Sequence, residues 1–444
     1  MTSPFRRTLL PRFTAVALGL LAAGSPVWAL TLDEVGGLAL KNDPSFLAAE
    51  QSLRASQARK DQSVATLFPS VSASSSFTDI SGTGISDHLR ARTLSARISQ
   101  PVFNLALVKG AEQGVQQLLA AEAAFASARQ STLLKAASAY FDVLVAQDNL
   151  ATVRSEKKAI AEQLELAKRS FEVGTSTITD QQEAQARFDL IQSREIEANN
   201  ALELRRNALA LIIRAPLPAR LNGIQGAIKI PSPQPLEVDA WIDQARASGL
   251  GVQRARADLE TAKLETSRRS AGNLPTVQLF GTRSFNRETI APDSRTDSTT
   301  VGVEVSIGYN LGGLVSAQVR EALAGEGQAD YALQGALLSA EQDTRSAFLS
   351  VVGGLAQVSA LEAAERSSQL ALDSNKLGYE VGVRINIDVL NSQQQLFSAQ
   401  RDLSRARYET LLASLRLKAA VGGLQPSDLE GIRSILSTPA AARQ

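Results

Sequence analysis

From Leu105 to Glu172 the chain contains no proline, and glycine occurs only at Gly110 and Gly114. An unbroken helix over roughly 68 residues would reach on the order of 100 Å at 1.5 Å per residue. A compact core has no use for an element that long, so the segment reads as part of a coiled coil or a helical tube. A length of 444 residues alone would suggest about three domains. This one run already argues against dividing the chain that way.

The sequence beyond residue 30 also repeats itself. Leu67-Phe68-Pro69-Ser70-Val71 matches Asn273-Leu274-Pro275-Thr276-Val277 at an offset of 206, as Phe103-Asn104-Leu105 matches Tyr309-Asn310-Leu311. Farther on the offset is 208: Phe171-Glu172-Val173-Gly174 matches Tyr379-Glu380-Val381-Gly382, and Asp180 matches Asp388. A single expansion or contraction of two residues accounts for the change. The expected units are a first repeat over 30–214, a proline- and glycine-rich linker over 215–235, a second repeat over 236–423 and a tail over 424–444. Each repeat should run short helix, helix of about 20 residues, two strands, very long helix, glycine turn and returning helix. Hairpin tips are expected near 174 and 382.

Strands are expected near 70–80, 91–103, 275–286 and 299–309. The clearest signal is in the last, where Val301, Val303, Val305, Ile307 and Tyr309 alternate with Gly302, Glu304, Ser306 and Gly308. The polar stretches 81–88 and 287–298 should link the paired strands. The helix after Asp388 carries a heptad with one large and one small seam: Val389, Leu396, Leu403, Thr410 and Leu417, then Ser392, Ala399, Ala406, Ala413 and Ala420. Small seam residues let a partner backbone approach closely. In the first repeat Phe188, Leu202 and Leu209 fit the heptad, whereas Gln181 and Glu195 do not.

Residues 1–29 read as a secretory signal: Arg6, Arg7 and Arg12, then an apolar run from Ala15 to Ala23, then Val27-Trp28-Ala29 with cleavage expected after Ala29. The expected mature chain begins at Leu30 without a cysteine for lipid attachment. No run of 18 apolar residues follows, which argues against a spanning helix and leaves a β-barrel open. Cysteine is absent and His88 is the only histidine. Disulfides, thiolate chemistry and histidine- or cysteine-based metal sites are therefore excluded. A net charge of +1 argues against bulk binding of nucleic acid. No nucleophile triad or phosphate loop is present, so neither an enzyme nor a bound cofactor or metal is expected.

Four strands cannot close a membrane barrel, which starts at about eight, and open edges are not tolerated in lipid. Strands in a membrane would have to be shared between chains, and three chains give an even twelve. At this point the chain resembles the TolC family of outer-membrane efflux and secretion channels. The resemblance rests on the repeat, the strand pairs, Ala139-Tyr140-Phe141-Asp142-Val143-Leu144, and the tip segments from Phe171 to Asp180 and from Gly378 to Leu390. It implies an α+β membrane protein whose homotrimer forms a 12-stranded outer-membrane β-barrel continued by a periplasmic α-helical coiled-coil barrel. It also implies contact with outer-membrane lipid, a periplasmic adaptor (membrane fusion protein) and an inner-membrane pump of ABC or RND type. A mixed α/β belt would form from the linker and the tail. The alternative from the residues alone is a secreted or periplasmic coiled-coil adaptor or structural protein without a membrane barrel.

The resemblance also picks out residues. Asp388 would form an acidic ring at the channel entrance; the plainer reading is a carboxylate stabilised by the helix N-terminus. Asn391 stands where the family often has a second acid, so one ring is expected. Arg384, Tyr379, Thr179 and Asp180 match positions whose polar links hold the entrance shut, or are simply solvated tip residues. Val173-Gly174 and Val381-Gly382 mark the hairpin tips expected to receive the adaptor, with glycine supplying a positive φ.

Overall fold

The structure is a computed structural model that describes residues 30–80, 89–224, 228, 230–288 and 294–437. The signal segment with its cleavage point at Ala29, and His88, lie outside the described residues. Helices α1 (Leu32–Asn42) and α2 (Pro44–Ala65) lead into strands β1 (Ser70–Ile80) and β2 (Leu89–Phe103), then α3 (Leu105–Glu172) and α4 (Ile178–Ile213). The second half repeats the order with α5 (Val238–Ser248), α6 (Leu250–Ser270), β3 (Thr276–Glu288), β4 (Ser294–Ser306), α7 (Leu314–Glu380) and α8 (Asn386–Ala420). Helix α9 (Pro426–Ser437) follows. The two-residue change of offset falls at the strand-to-helix junction. Asn104 caps α3 directly, its side chain accepting from Leu107 N at 3.2 Å. Asn310 instead accepts from Gly312 N at 2.9 Å, and Gly313 takes φ +74° before α7 begins.

The four strands form one antiparallel sheet in the order β1-β2-β3-β4, so the central pairing joins the two repeats. Strands β3 and β4 reach farther into the link than expected, with Arg287 opposite Arg295 and Glu288 opposite Ser294. At the other end pairing stops at Thr276↔Ser306. Ile307 and Tyr309 keep the alternation but lie beyond the strand, because Pro275 has no N–H to continue the ladder.

All five residues of the large α8 seam are buried, from Val389 to Leu417, and so are Ala399, Ala406 and Ala413 of the small one. The close approach is made by glycine on the opposite helix: a Cβ at Gly354 of α7 would stand 2.5 Å from Thr410 Oγ1. Where the heptad of α4 is interrupted, Glu195 is met by Arg154 at 3.1 Å and Lys157 at 2.9 Å, both from α3.

The largest core lies at mid-height. Leu32 and Val35 of α1, Leu133 to Leu144 of α3, Tyr408 to Leu415 of α8, Leu221 of the linker and Leu429 of α9 pack together there. No strand forms in the described part of the linker. Its backbone is satisfied instead by helix side chains: Gln147 pairs with both N–H and C=O of Leu221 at 3.0 and 3.1 Å, and Arg206 donates to the carbonyls of Pro218 and Ala219. Asp43, buried at the N-terminus of α2, meets burial with a 2.7 Å bond from Lys135 and bonds from Ser45, which together hold its carboxyl down at about 2.

Helix α7 has no uninterrupted apolar run of 18 residues, but it contains an 18-residue window of mean hydropathy 1.5 with only 17% of it buried. Within this 67-residue helix six residues are buried, against 20 in α3. Much of the apolar surface of α7 is therefore exposed within the protomer.

Two outcomes follow. Gly354→Ala should destabilise the protein by about 1–3 kcal/mol through overpacking, and Thr410→Ala should recover most of that loss in a thermal double-mutant cycle. Because the Asp43 pKa is depressed, its contribution should be complete above about pH 4 and fade as pH falls toward about 2. Asp43→Ala should flatten that part of the stability profile.

Candidate functional site at the hairpin tips

Both hairpins turn by the same backbone motif. Val173 and Val381 end α3 and α7, and Gly174 and Gly382 follow at φ +76° and +80°. Thr175 N donates to Ser170 O at 2.8 Å, as Val383 N does to Gly378 O at 2.9 Å. These six-to-one bonds close the ends of the long helices and require the left-handed glycine between them. Val173, Val381 and Val383 stay exposed at the tips.

The returning helices start differently, and the difference separates the two acids. Thr177 caps α4: its Oγ1 accepts from Asp180 N at 3.2 Å, while Asp180 Oδ2 accepts from Thr177 N at 3.1 Å and from Ser176 Oγ at 2.9 Å. This capping box opposes the upward effect of burial and holds the Asp180 carboxyl below its ordinary range. At the matching position in α8 the cap residue is Ile385, which has no side-chain acceptor. Asp388 is thus left without a capping partner, half-buried, with Oδ2 3.6 Å from Arg384 Nη1. Arg384 in turn lies over Gly378, where a Cβ would meet its Cγ at 2.7 Å.

Of the residues expected at the entrance, the structure brings the gate residue Arg384 and the ring residue Asp388 together within one protomer. Asp180 is engaged in its own cap. Thr179 is exposed, and Tyr379 packs against Leu372, Val389 and Leu396. Neither makes a side-chain hydrogen bond among the described residues.

The links that join the two hairpins of a protomer involve residues the sequence did not single out. Buried Asn386 accepts from Gln163 Nε2 of α3 at 2.6 Å and donates to Asp180 O at 3.3 Å. Arg187 of α4 donates to Gln394 Oε1 at 2.6 Å and to Asn391 Oδ1 at 3.2 Å, so the position of the missing second acid is a neutral acceptor. Higher up, buried Glu156 takes Arg401 at 2.7 Å, and Asp148 accepts from Ser404 and Tyr408 at 2.7 and 3.0 Å. A polar ladder therefore runs up the contact between α3 and α8. Its one readable signal was the presence of polar residues on faces that helix packing requires to be buried.

An open amphipathic sheet at one end, and long paired helical hairpins with twin glycine tips at the other, define the subunit of an outer-membrane channel. The chain belongs to the outer membrane efflux protein family, whose sequence model matches residues 35–213 and 241–423. It is 30% identical over 437 residues to outer membrane protein TolC of Vibrio cholerae, covering 96% of this chain and 98% of that one. It is 30% identical over 424 residues to the alkaline protease secretion protein AprF of Pseudomonas aeruginosa, covering 93% and 88%. Its fold matches the crystal structure of the outer membrane protein VceC of Vibrio cholerae with a TM-score of 0.75 at 21% identity, over 88% of this chain and 96% of that one. The protein is an outer-membrane exit duct that extends into the periplasm, and the reading as a coiled-coil protein without a barrel gives way.

Asn386→Ala should leave the buried Gln163 amide unpaired and destabilise the tip by about 1–3 kcal/mol. Hydrogen exchange at the start of α8 would register it. Asp180→Ala should fray the start of α4 at neutral pH. In the wild type the same loss should set in only as pH falls through the depressed carboxyl pKa.

Proposed function

We propose that three copies assemble into a passive duct, with the three four-stranded sheets closing a 12-stranded barrel and the helices continuing it as a periplasmic tube. The observation that carries this reading is the open sheet, whose edge strands β1 and β4 each have one unpaired side. In a bilayer such edges must pair, and β4 of one protomer with β1 of the next does so. The exposed apolar surface of α7 supplies the matching helical contacts.

The entrance is gated at the tips. Three Asp388 carboxylates converge as a ring, each partly offset by its own Arg384. Like charges about 6 Å apart repel by roughly 3 kcal/mol at an effective dielectric near 20, so the ring favours cations and resists closing without them. Arg384, Tyr379, Thr179 and Asp180 supply links of about 0–1 kcal/mol each between neighbouring hairpins, weak enough to open reversibly. Opening is a repacking of the α7–α8 hairpin against α3–α4, resisted within each protomer by Asn386 and Arg187.

The exposed tips at Val173-Gly174 and Val381-Gly382 receive the helical hairpins of a periplasmic adaptor, which joins the duct to an inner-membrane pump of ABC or RND type. The linker and α9 form the belt around the tube, and the duct carries out no catalysis. The similarity to AprF, named for alkaline protease secretion, extends the cargo reading to polypeptides.

In planar bilayers, millimolar divalent cations should block wild-type current, and the block should vanish in Asp388→Ala; unchanged block would reject the ring. Arg384→Ser combined with Tyr379→Phe should raise conductance above wild type, and no gain would count against the gate.

A further inference from the structure

The two faces of the sheet are chemically distinct, and one ends in an unusual row. On one face stand Ser72, Ser74, Thr93, Ser95, Gln278 and Glu304, with Glu304 accepting from Arg97 at 3.0 Å and Gln278 at 2.8 Å. The opposite face carries Val71, Ile98, Leu279, Val301, Val303 and Val305, all exposed. In β2 and β3 the residues of this second face are the more exposed, as on the convex side of a curved sheet. The apolar face is the one a bilayer would cover.

Following that face away from the helices, register places Val71, Ile98, Gly281 and Val301 in one row. Next come Ala73, Ala96, Arg283 and Thr299, then Ser75, Leu94, Phe285 and Asp297, and then Phe77, Arg92, Arg287 and Arg295. Three arginines thus stand directly opposite one another on adjacent strands, an arrangement that is unfavourable by itself. Among the described residues none of the three has an ion-pair partner, whereas Arg90 is met by Asp79 at 3.3 Å and Arg283 by Asp297 at 3.8 Å.

Height along the strand says what lies beside this cationic row. Val305 and Arg295 are ten residues apart, roughly 33 Å of strand. With a tilt of about 40° this is about 25 Å of bilayer normal, the height of the apolar band on a membrane barrel. The arginine row therefore lies at head-group level on the side away from the periplasmic helices. Arg92, Arg287 and Arg295 also surround a shallow depression floored by Leu94 and Phe285 and bordered by Asp297. Cations at the top and apolar side chains below match an amphiphile with phosphate on its head and acyl chains beneath. Guanidinium binds phosphate through paired N–H bonds.

We propose that Arg92, Arg287 and Arg295 form a docking site for phosphorylated lipid head groups of the outer leaflet, one per protomer on the outside of the barrel. The proposal rests on the barrel reading above, because it needs the valine face to be turned to lipid.

The test uses full-length protein in phosphatidylcholine vesicles, with and without a diphosphorylated glycolipid, and binding of a fluorescent form of that lipid. Wild type should bind it, and Arg92→Gln/Arg287→Gln/Arg295→Gln should bind at least about tenfold more weakly. The corresponding lysine triple should restore most of the binding. Loss of three helical arginines, in Arg254→Gln/Arg320→Gln/Arg366→Gln, should leave it unchanged. Equal binding by the glutamine triple, equal binding of the dephosphorylated lipid, or displacement by inorganic phosphate at matched concentration would overturn the proposal. So would a lysine triple that assembles but does not bind. The absence of native cysteine lets a solvatochromic probe on Val303→Cys report separately whether the face lies in lipid. A probe in lipid with binding unaffected by the glutamine triple defeats the docking site alone, whereas a probe in water defeats the barrel reading.

Discussion

An unpaired backbone N–H or C=O in hydrocarbon costs several kcal/mol, and this protomer ends in a four-stranded sheet with two open edges. That penalty makes the isolated chain an incomplete object. Once sheets are paired edge to edge, the helices that continue them are brought side by side. The apolar α7, with so little of its surface buried within its own chain, then has something to pack against. The strands thus impose the assembly and the helices accept it: a tube this long follows from a few backbone hydrogen bonds at one end.

Duplication gave the chain two copies of one tip, and one of the differences between them changes the surroundings of the matching acid. The glycine turns, the six-to-one bonds and the third-position acids are common to both. Thr177 on one side and Ile385 on the other set the local surroundings of each acid: Asp180 takes part in a capping box, and Asp388 faces Arg384. A cap given up at α8 is a small local loss of stability, typically about 1 kcal/mol. It leaves a carboxylate at the end of the helical tube, where a duct can use one.

Much of the architecture was legible because it is periodic. The proline-free run gave α3, the heptad gave the face of α8 that meets α7, and alternation gave the strands. The polar part of the contact between α3 and α8 was not legible: Gln163 with Asn386, Glu156 with Arg401, and Asp148 with Ser404 and Tyr408. Each of those polar residues would be assigned to solvent by a hydrophobic pattern, and each meets a partner more than 200 residues away. Glu195, an apparent fault in the heptad, is likewise explained by two cations on a neighbouring helix. The end of β4 was misplaced for a different reason. Ile307 and Tyr309 alternate correctly, but a strand extends only as far as its neighbour can pair, and Pro275 ends the neighbour.

At mid-height the first and last described helices share one core. Leu32 packs with Leu429, and Asp33 lies 3.2 Å from Arg433. The central strand pairing likewise joins segments nearly 200 residues apart, such as Ala91 and Glu288. Contacts so distant in sequence cannot form on a partly delivered chain. Synthesis and translocation run from one end to the other, so α1 remains without its cover until α9 arrives. The mid-height core therefore works as a completeness check: a truncated or stalled chain lacks the helix that closes it.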